Sequence, residues 1–235
     1  MKQIYLLFLV LVLAALACSS TESQPAGQPG EPSEAVESSN SDEGEPTNAP
    51  ELPPARPTLP EIAGGDCSKD LGPGLNLAKC EFSDVVFTES DLSGVDLAQA
   101  KISDSVFSNV NFTDANLNGA FIDHSPLNGA DFTGADLAQA TLNDSPAGGA
   151  NFTRANLSWI IASKTNLSKS NFTDADLTNA DMSGSNLSEA DFTGAITVGV
   201  DFSGSNMTGA IITEEQLEQA FSVEGAILPD GSTGN

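Results

Sequence analysis

The chain has 235 residues, 33 of them acidic against 8 basic, and a formal net charge of −25. That sign excludes the phosphate-driven attraction behind nucleic-acid binding and adsorption to anionic membranes. A composition shift near residue 60 leaves about 170 residues for folding, which limits the protein to one core-bearing domain.

Residues 1–17 carry one cation, Lys2, then an uncharged apolar run from Ile4 to Leu16, and end in small residues directly before Cys18. This is the pattern of a signal peptide, and the run is shorter than the roughly 20 residues that a membrane-spanning helix needs. The stretch Leu13-Ala14-Ala15-Leu16-Ala17-Cys18 resembles the lipobox of bacterial lipoproteins, departing from its commonest form at Ala15. The resemblance implies that the Cys18 thiol is acylated and that the bilayer is a partner of the mature chain. Localisation would then be extracytoplasmic, at the cell membrane or at the outer membrane of a cell that has one. Two or three acyl chains, at about 0.8 kcal/mol per buried methylene, suffice for stable anchoring.

Residues 18–60 follow as a tether of Pro, Ser, Glu, Gly and Gln with eight acids and Arg56 as its one base. Such a composition cannot bury enough apolar surface to offset chain entropy, so disorder is predicted. Residues 61–76 are assigned to an N-terminal cap.

A strict period of five then runs over residues 75–212. From Leu77 to Ile212 every fifth residue is a centre, and 25 of 28 centres are Leu, Phe, Ile or Met, the exceptions being Ala147, Ala162 and Thr197. Two positions before the centre the residue is Ala, Ser, Thr, Cys or Val in 26 of the 28 units, the others being Leu75 and Ile160. Neither the helical nor the strand period produces this pattern, whereas a coil that turns after every unit does. A longer period of 20 stacks Leu92, Phe112, Phe132, Phe152, Phe172, Phe192 and Ile212 on one side, and Leu77 through Leu177 on another.

The units Ala-Asp-Leu-Ala-Gln (135–139), Ala-Asn-Phe-Thr-Arg (150–154) and Ala-Asp-Leu-Thr-Asn (175–179) resemble the A(D/N)LXX consensus of the pentapeptide-repeat family. The resemblance implies an all-β fold, a right-handed quadrilateral β-helix of about seven coils with centre and minus-two residues inside. Thr213-Glu214-Glu215-Gln216 reads as a capping box, so residues 213–235 are expected to hold a short capping helix and a tail. A C-terminal element dimerises some relatives, which leaves this end as either a cap or a homodimer interface.

Cys67 and Cys80 are the thiols left once Cys18 is acylated. Either they pair in an oxidising compartment and staple the cap to the first coil, or they remain separate buried thiols. His124 is the single histidine, so no Ser/His/Asp, Cys/His or histidine-based metal constellation can be assembled. No catalytic residue, metal or cofactor is assigned, and the expectation is a protein without enzymatic activity. A calcium ladder along Asp91, Asn111, Asp131, Asn151, Asn171 and Asp191 is disfavoured by its neutral asparagines. Threonines 113 to 213 form a column that a crystalline-surface binder would need, without the second column beside it.

Departures from the consensus single out Phe121, Pro126, Pro146, Trp159 and Ile161, which the register points outward and of which most lie on one side or at its corner, with His124 and Lys164 close by. An exposed aromatic patch on a polar rod fits a partner-binding site, while local repacking around Ala147 and Ala162 is the alternative. The function expected is a membrane-anchored extracytoplasmic binding or scaffold protein that presents its rod to an envelope or extracellular protein. Two rivals stand beside it. One is an acidic mimic of duplex DNA acting on a DNA-binding protein or topoisomerase, as in some relatives, and it requires a chain that is not exported. The other is an inert spacer.

Overall fold

The computed structural model describes residues 64–67 and 72–235. The signal segment, Cys18 and the tether lie outside the described residues. Between Asn76 and Ile211 the bridges join residue i to residue i+20 in parallel, as in Asn76 to Asp96, Asn116 to Asp136 and Asn186 to Asn206, so the chain coils through four sides per turn. Each coil is fastened to the next by two kinds of backbone bond. Leu77 N–H donates to Asp96 O at 2.7 Å, and Asp96 N–H donates back to Leu75 O at 2.8 Å. This is a quadrilateral β-helix.

The sides are named here by what they carry. The leucine side holds centres 77 to 197, the strand side 82 to 202, the serine side 87 to 207 and the phenylalanine side 92 to 212. The unit is five residues long because it is extended for three and turned for two. The second residue after the centre adopts positive φ, and the third closes the turn, as where Ala135 N–H donates to Phe132 O at 3.0 Å. Only on the strand side are pairings long enough to form strands. They are β1 (Glu81–Ser83), β2 (Lys101–Ser103), β3 (Phe121–Asp123) and β4 (Thr141–Asn143), in one parallel sheet of order β1-β2-β3-β4.

The core is the inside of the coil. Phe112, Phe132, Phe152, Phe172 and Phe192 stack one per turn with ring centroids 5.0, 5.1, 5.1 and 4.9 Å apart. All five are buried, and each contributes about 1.5–3 kcal/mol by leaving water. Ala162, a small centre, is preceded inside by the larger Ile160, and both are buried.

The serine side has a second kind of interior. Ser105, Ser125, Ser145, Thr165, Ser185 and Ser205 are all buried at the minus-two position. Where β1 to β3 replace the tight turn, their following N–H groups need another acceptor. Val85 N–H donates to Ser105 Oγ, Ser105 N–H to Ser125 Oγ and Ser125 N–H to Ser145 Oγ, at 3.2, 3.0 and 3.0 Å. The hydroxyls in turn donate to the carbonyls of Ser103, Asp123 and Asn143. Buried backbone groups are thereby paired.

Outside, the residue before each centre forms a polar ladder. Asn111 and Asn151 donate to the carboxylates of Asp91 and Asp131 one coil below, and Asn116 and Asn156 do the same to Asp96 and Asp136. Alternating Asn with Asp converts what would be stacked like charges into hydrogen bonds. Thr113, Thr133, Thr153, Thr173 and Thr193 each give their hydroxyl to the Asn or Asp two residues earlier at 2.6 Å. Their regularity therefore belongs to local turn bonding.

At the first coil, Gly65 N–H donates to Ala78 O and Asp66 N–H to Asn76 O, which lays residues 64–67 along the leucine side. A Cβ at Gly65 would stand 2.5 Å from Asn76 O and 2.6 Å from Leu77 Cα, so only glycine permits that approach. Cys67 and Cys80 are joined by a disulfide, with Cα atoms 5.4 Å apart.

At the other end α1 (Glu214–Glu218) sits under a capping box between Thr213 and Gln216. The Gln216 amide donates to Phe192 O at 2.7 Å and Ala195 O at 2.8 Å, closing the tube from inside. The segment beyond the helix rejoins the solenoid. Asp201 bridges Ser222 and Asn206 bridges Ile227, a step of 21 residues, and Ile227 then bridges Thr233 in antiparallel sense.

Candidate partner-binding face

The outward residue of each unit on the strand side is set by the same ladder that builds the sheet. Phe121 pairs with Thr141, and Thr141 bridges Ile161, which places three apolar or β-branched side chains in one column. Phe121 is 44% exposed, whereas Thr141 and Ile161 are half-buried. Below Phe121 the column continues with Lys101 and Glu81, paired at 2.6 Å, around an open depression of 490 Å³ that Ser83 and Ser103 also line.

The corners flank this column. Trp159 precedes Ile161 at the corner shared with the leucine side, and Lys164 follows it at the far corner. His124 occupies the same corner row as Lys164, two coils earlier. Its Nδ1 lies 3.0 Å from Asp123 Oδ2, and its Nε2 lies 3.7 Å from Asp144 Oδ2. The hydrogen bond to Asp123 raises the His124 pKa first, followed by the charges of Asp123, Asp144 and Asp104. Asp123 is lowered chiefly by the Asn143 amide that donates to it, and then by His124.

Pro126 and Pro146 are not on this face. They stand in the outward column of the serine side, between Val106 and Asn166, and are half-buried. That column bridges at Val86 to Val106 and again from Asn166 to Asn186. The prolines lack the N–H that the intervening bridges require. Five of the seven singled-out residues thus share one face, and the two prolines lie around the corner.

The structure adds a feature that residue-by-residue inspection passed over. Arg154, Trp159, Lys164 and Lys169 hold four successive corners, one full turn of the coil, with φ of 58, 61, 56 and 60°. Positive φ is uncommon for side-chain-bearing residues, and a bulky ring there is unusual. Lys79, Gln99, Gly119, Gln139, Asn179 and Gly199 hold the other places in the Trp159 row, all at positive φ, so Trp159 differs from them by its ring and not by its backbone. The three cations are exposed and Trp159 half-buried. Among the described residues neither Arg154 nor Lys164 forms a salt bridge, while Lys169 reaches Glu189 at 3.8 Å. Ile196, Val198 and Ile211, all 48–59% exposed, form further apolar surface on the last coil.

Among the described residues no group of three His, Cys, Asp or Glu side chains is placed to hold a metal ion, and no helix is long and apolar enough to cross a membrane.

Comparison with known proteins places these observations in a family. The profile described as pentapeptide repeats matches in eight copies, over residues 74–104, 90–129, 105–144, 150–188 and 185–220. No curated protein matches the chain. Similar solved structures include full-length QnrB1, a plasmid-mediated fluoroquinolone resistance protein, 22% identical over 57% of this chain and 78% of that one, with a TM-score of 0.32. Others are HetL, involved in heterocyst differentiation regulation in Nostoc sp. strain PCC 7120 (22% identity, 66% and 90% coverage, TM-score 0.23), and a pentapeptide-repeat protein of the Arabidopsis thaliana thylakoid lumen (25%, 63% and 83%, 0.22).

Proposed function

Because the chain belongs to the pentapeptide-repeat family, and its coils repeat their outward positions in regular columns, we propose that it is a non-catalytic scaffold that offers its strand side to a partner protein outside the cytoplasm. The observation that carries this reading is the column of Phe121, Thr141 and Ile161 flanked by Trp159. It is an apolar strip that carries the aromatic side chains, whereas the outward columns of the leucine and phenylalanine sides are mainly hydrogen-bonded Asp and Asn ladders and that of the serine side begins with valines and prolines. Aromatic anchors of this kind dominate interface energetics. An extracytoplasmic site is supported by the Cys67–Cys80 disulfide, a bond that persists in oxidising compartments, and by the signal-peptide and lipobox pattern ending at Cys18. In this reading the acylated Cys18 holds the rod to the bilayer.

The rival reading, an acidic mimic of duplex DNA, calls for an unbroken negative surface. Residues 75–212 hold 17 acids and five bases, yet none of the acids falls within residues 145–173. More than one full turn of the rod is therefore without a negative side chain, which favours the scaffold.

The test is crosslinked capture from intact cells with wild-type protein and with Phe121→Ser/Trp159→Ser/Ile161→Ser. The variant is expected to lose the partners that wild type retains, and recovery of the same proteins with both would overturn the reading. Release of Cys18→Ala into the soluble fraction is the expected sign of the anchor.

A further inference from the structure

The acid-free interval and the four corners coincide. Residues 145–173 contain Arg154, Lys164 and Lys169, three of the five bases in the repeats, and the one tryptophan of the chain. Folding turns this sequence interval into a belt, with one cation or the indole at each corner of a single turn. We infer that the belt is the binding site for a short acidic segment of a protein partner, with apolar side chains that pack on Trp159 and Ile161 between the charges.

Two observations carry this. The first is charge complementarity: Arg154 and Lys164 are exposed and form no salt bridge among the described residues, on a rod that otherwise has acids to spare. The second is geometry. Trp159, Ile161 and Lys164 stand at the leading corner, the middle and the trailing corner of one side, so an anionic group at the lysine and an apolar group at the ring can be engaged together.

The width of the belt selects the ligand. Coils are about 4.8 Å apart, so the interval between the Asp144 and Asp174 rows spans roughly one screening length at physiological salt. A long polyanion laid on the rod would meet the acidic coils on both sides. A compact acidic motif would meet fewer of them, chiefly Asp144, Asp174 and Glu189 in the corner rows of the three cations.

This inference rests on the scaffold reading and names the chemistry of the partner. Its test uses the full chain in detergent and a labelled twelve-residue peptide alternating Glu with Leu and Phe, followed by fluorescence anisotropy at low and high salt. The peptide is expected to bind, with affinity falling as salt rises, and a Gln-for-Glu version to bind about tenfold more weakly. Arg154→Asn/Lys164→Asn/Lys169→Asn removes the charge while keeping a residue tolerant of positive φ, so its fold should persist, and it should lose binding about tenfold. Absence of peptide binding, equal binding by the Asn variant, equal binding of the Gln peptide, or equally tight binding of polyglutamate or duplex DNA would each overturn it. In intact cells, an Asn variant that still captures the partner lost by Phe121→Ser/Trp159→Ser/Ile161→Ser would sink the acidic-motif inference and leave the scaffold reading standing.

Discussion

Ser125 Oγ receives the backbone N–H of Ser105 from the neighbouring coil at 3.0 Å, deep inside the tube. Removing that hydroxyl orphans a buried donor, which costs about 1–3 kcal/mol. Ser205 is the last hydroxyl of the same row, but it has no partner among the described residues. Ser125→Ala is therefore expected to destabilise by that amount, and Ser205→Ala to be neutral or stabilising, as read from denaturant midpoints. Equal losses at the two sites would contradict the ladder.

The pH dependence around His124 has a definite sign. Its pKa is raised above the ordinary 6.5, mainly by the hydrogen bond to Asp123. Folding thus favours the charged imidazole, a stabilisation complete below 6.5 and lost as pH rises through the higher folded value. Asp123, lowered from 3.8, contributes in the opposite sense, and its share is lost as pH falls through its lower folded value. An NMR titration of the His124 ring should report a value above 6.5, and Asp123→Asn should bring it down. A wild-type value at or below 6.5 would show that the contact does not persist in solution.

The disulfide closes a separation of 13 residues, for which loop-closure entropy gives about 3 kcal/mol. In a solenoid that effect is local. Reduction or Cys80→Ser is expected to lower hydrogen-exchange protection in coils one and two first, while amides near Phe172 and Phe192 keep theirs. Uniform loss along the rod would mean that the rod melts as one cooperative unit.

Phe152 lies mid-stack between Phe132 and Phe172, at 5.1 Å from each. Phe152→Ala is expected to cost about 3–5 kcal/mol. Because coils contact only their neighbours, the same change should split thermal unfolding into two transitions. Calorimetry that shows a single sharp transition would argue against that independence.

The period of five made the coil legible, and the period of 20 made its four sides legible, because stacking repeats every contact in sequence. Leu, Phe and Ile at the centres sort inward from outward unaided. What the pattern hid lies where it bends. Serine at the minus-two position reads as merely small, and only the extended backbone of β1 to β3 shows that its hydroxyl replaces a turn hydrogen bond. The step from Asn206 to Ile227 is 21 residues, since α1 takes up an extra one, so the rejoining segment fell out of register with the scan. Phe121, Trp159, Ile161 and Lys164 were visible as departures from consensus, whereas the belt was not. Arg154 and Lys169 are unremarkable singly, and they join Trp159 and Lys164 in a ring only because five residues of sequence equal one quarter-turn of space.

The antiparallel bridge between Ile227 and Thr233 decides what happens beyond the last coil. Gly225 N–H donates to Gly234 O and Gly234 N–H to Ala226 O, so the chain doubles back across its own edge. A parallel stack of coils is a template on which a like coil from another molecule could add, and exposed edges of that kind are where fibres nucleate. A reversed strand breaks the template, because the next coil would arrive running in the wrong direction. The C-terminal end of the stack is thereby closed to the end-on addition of a like coil.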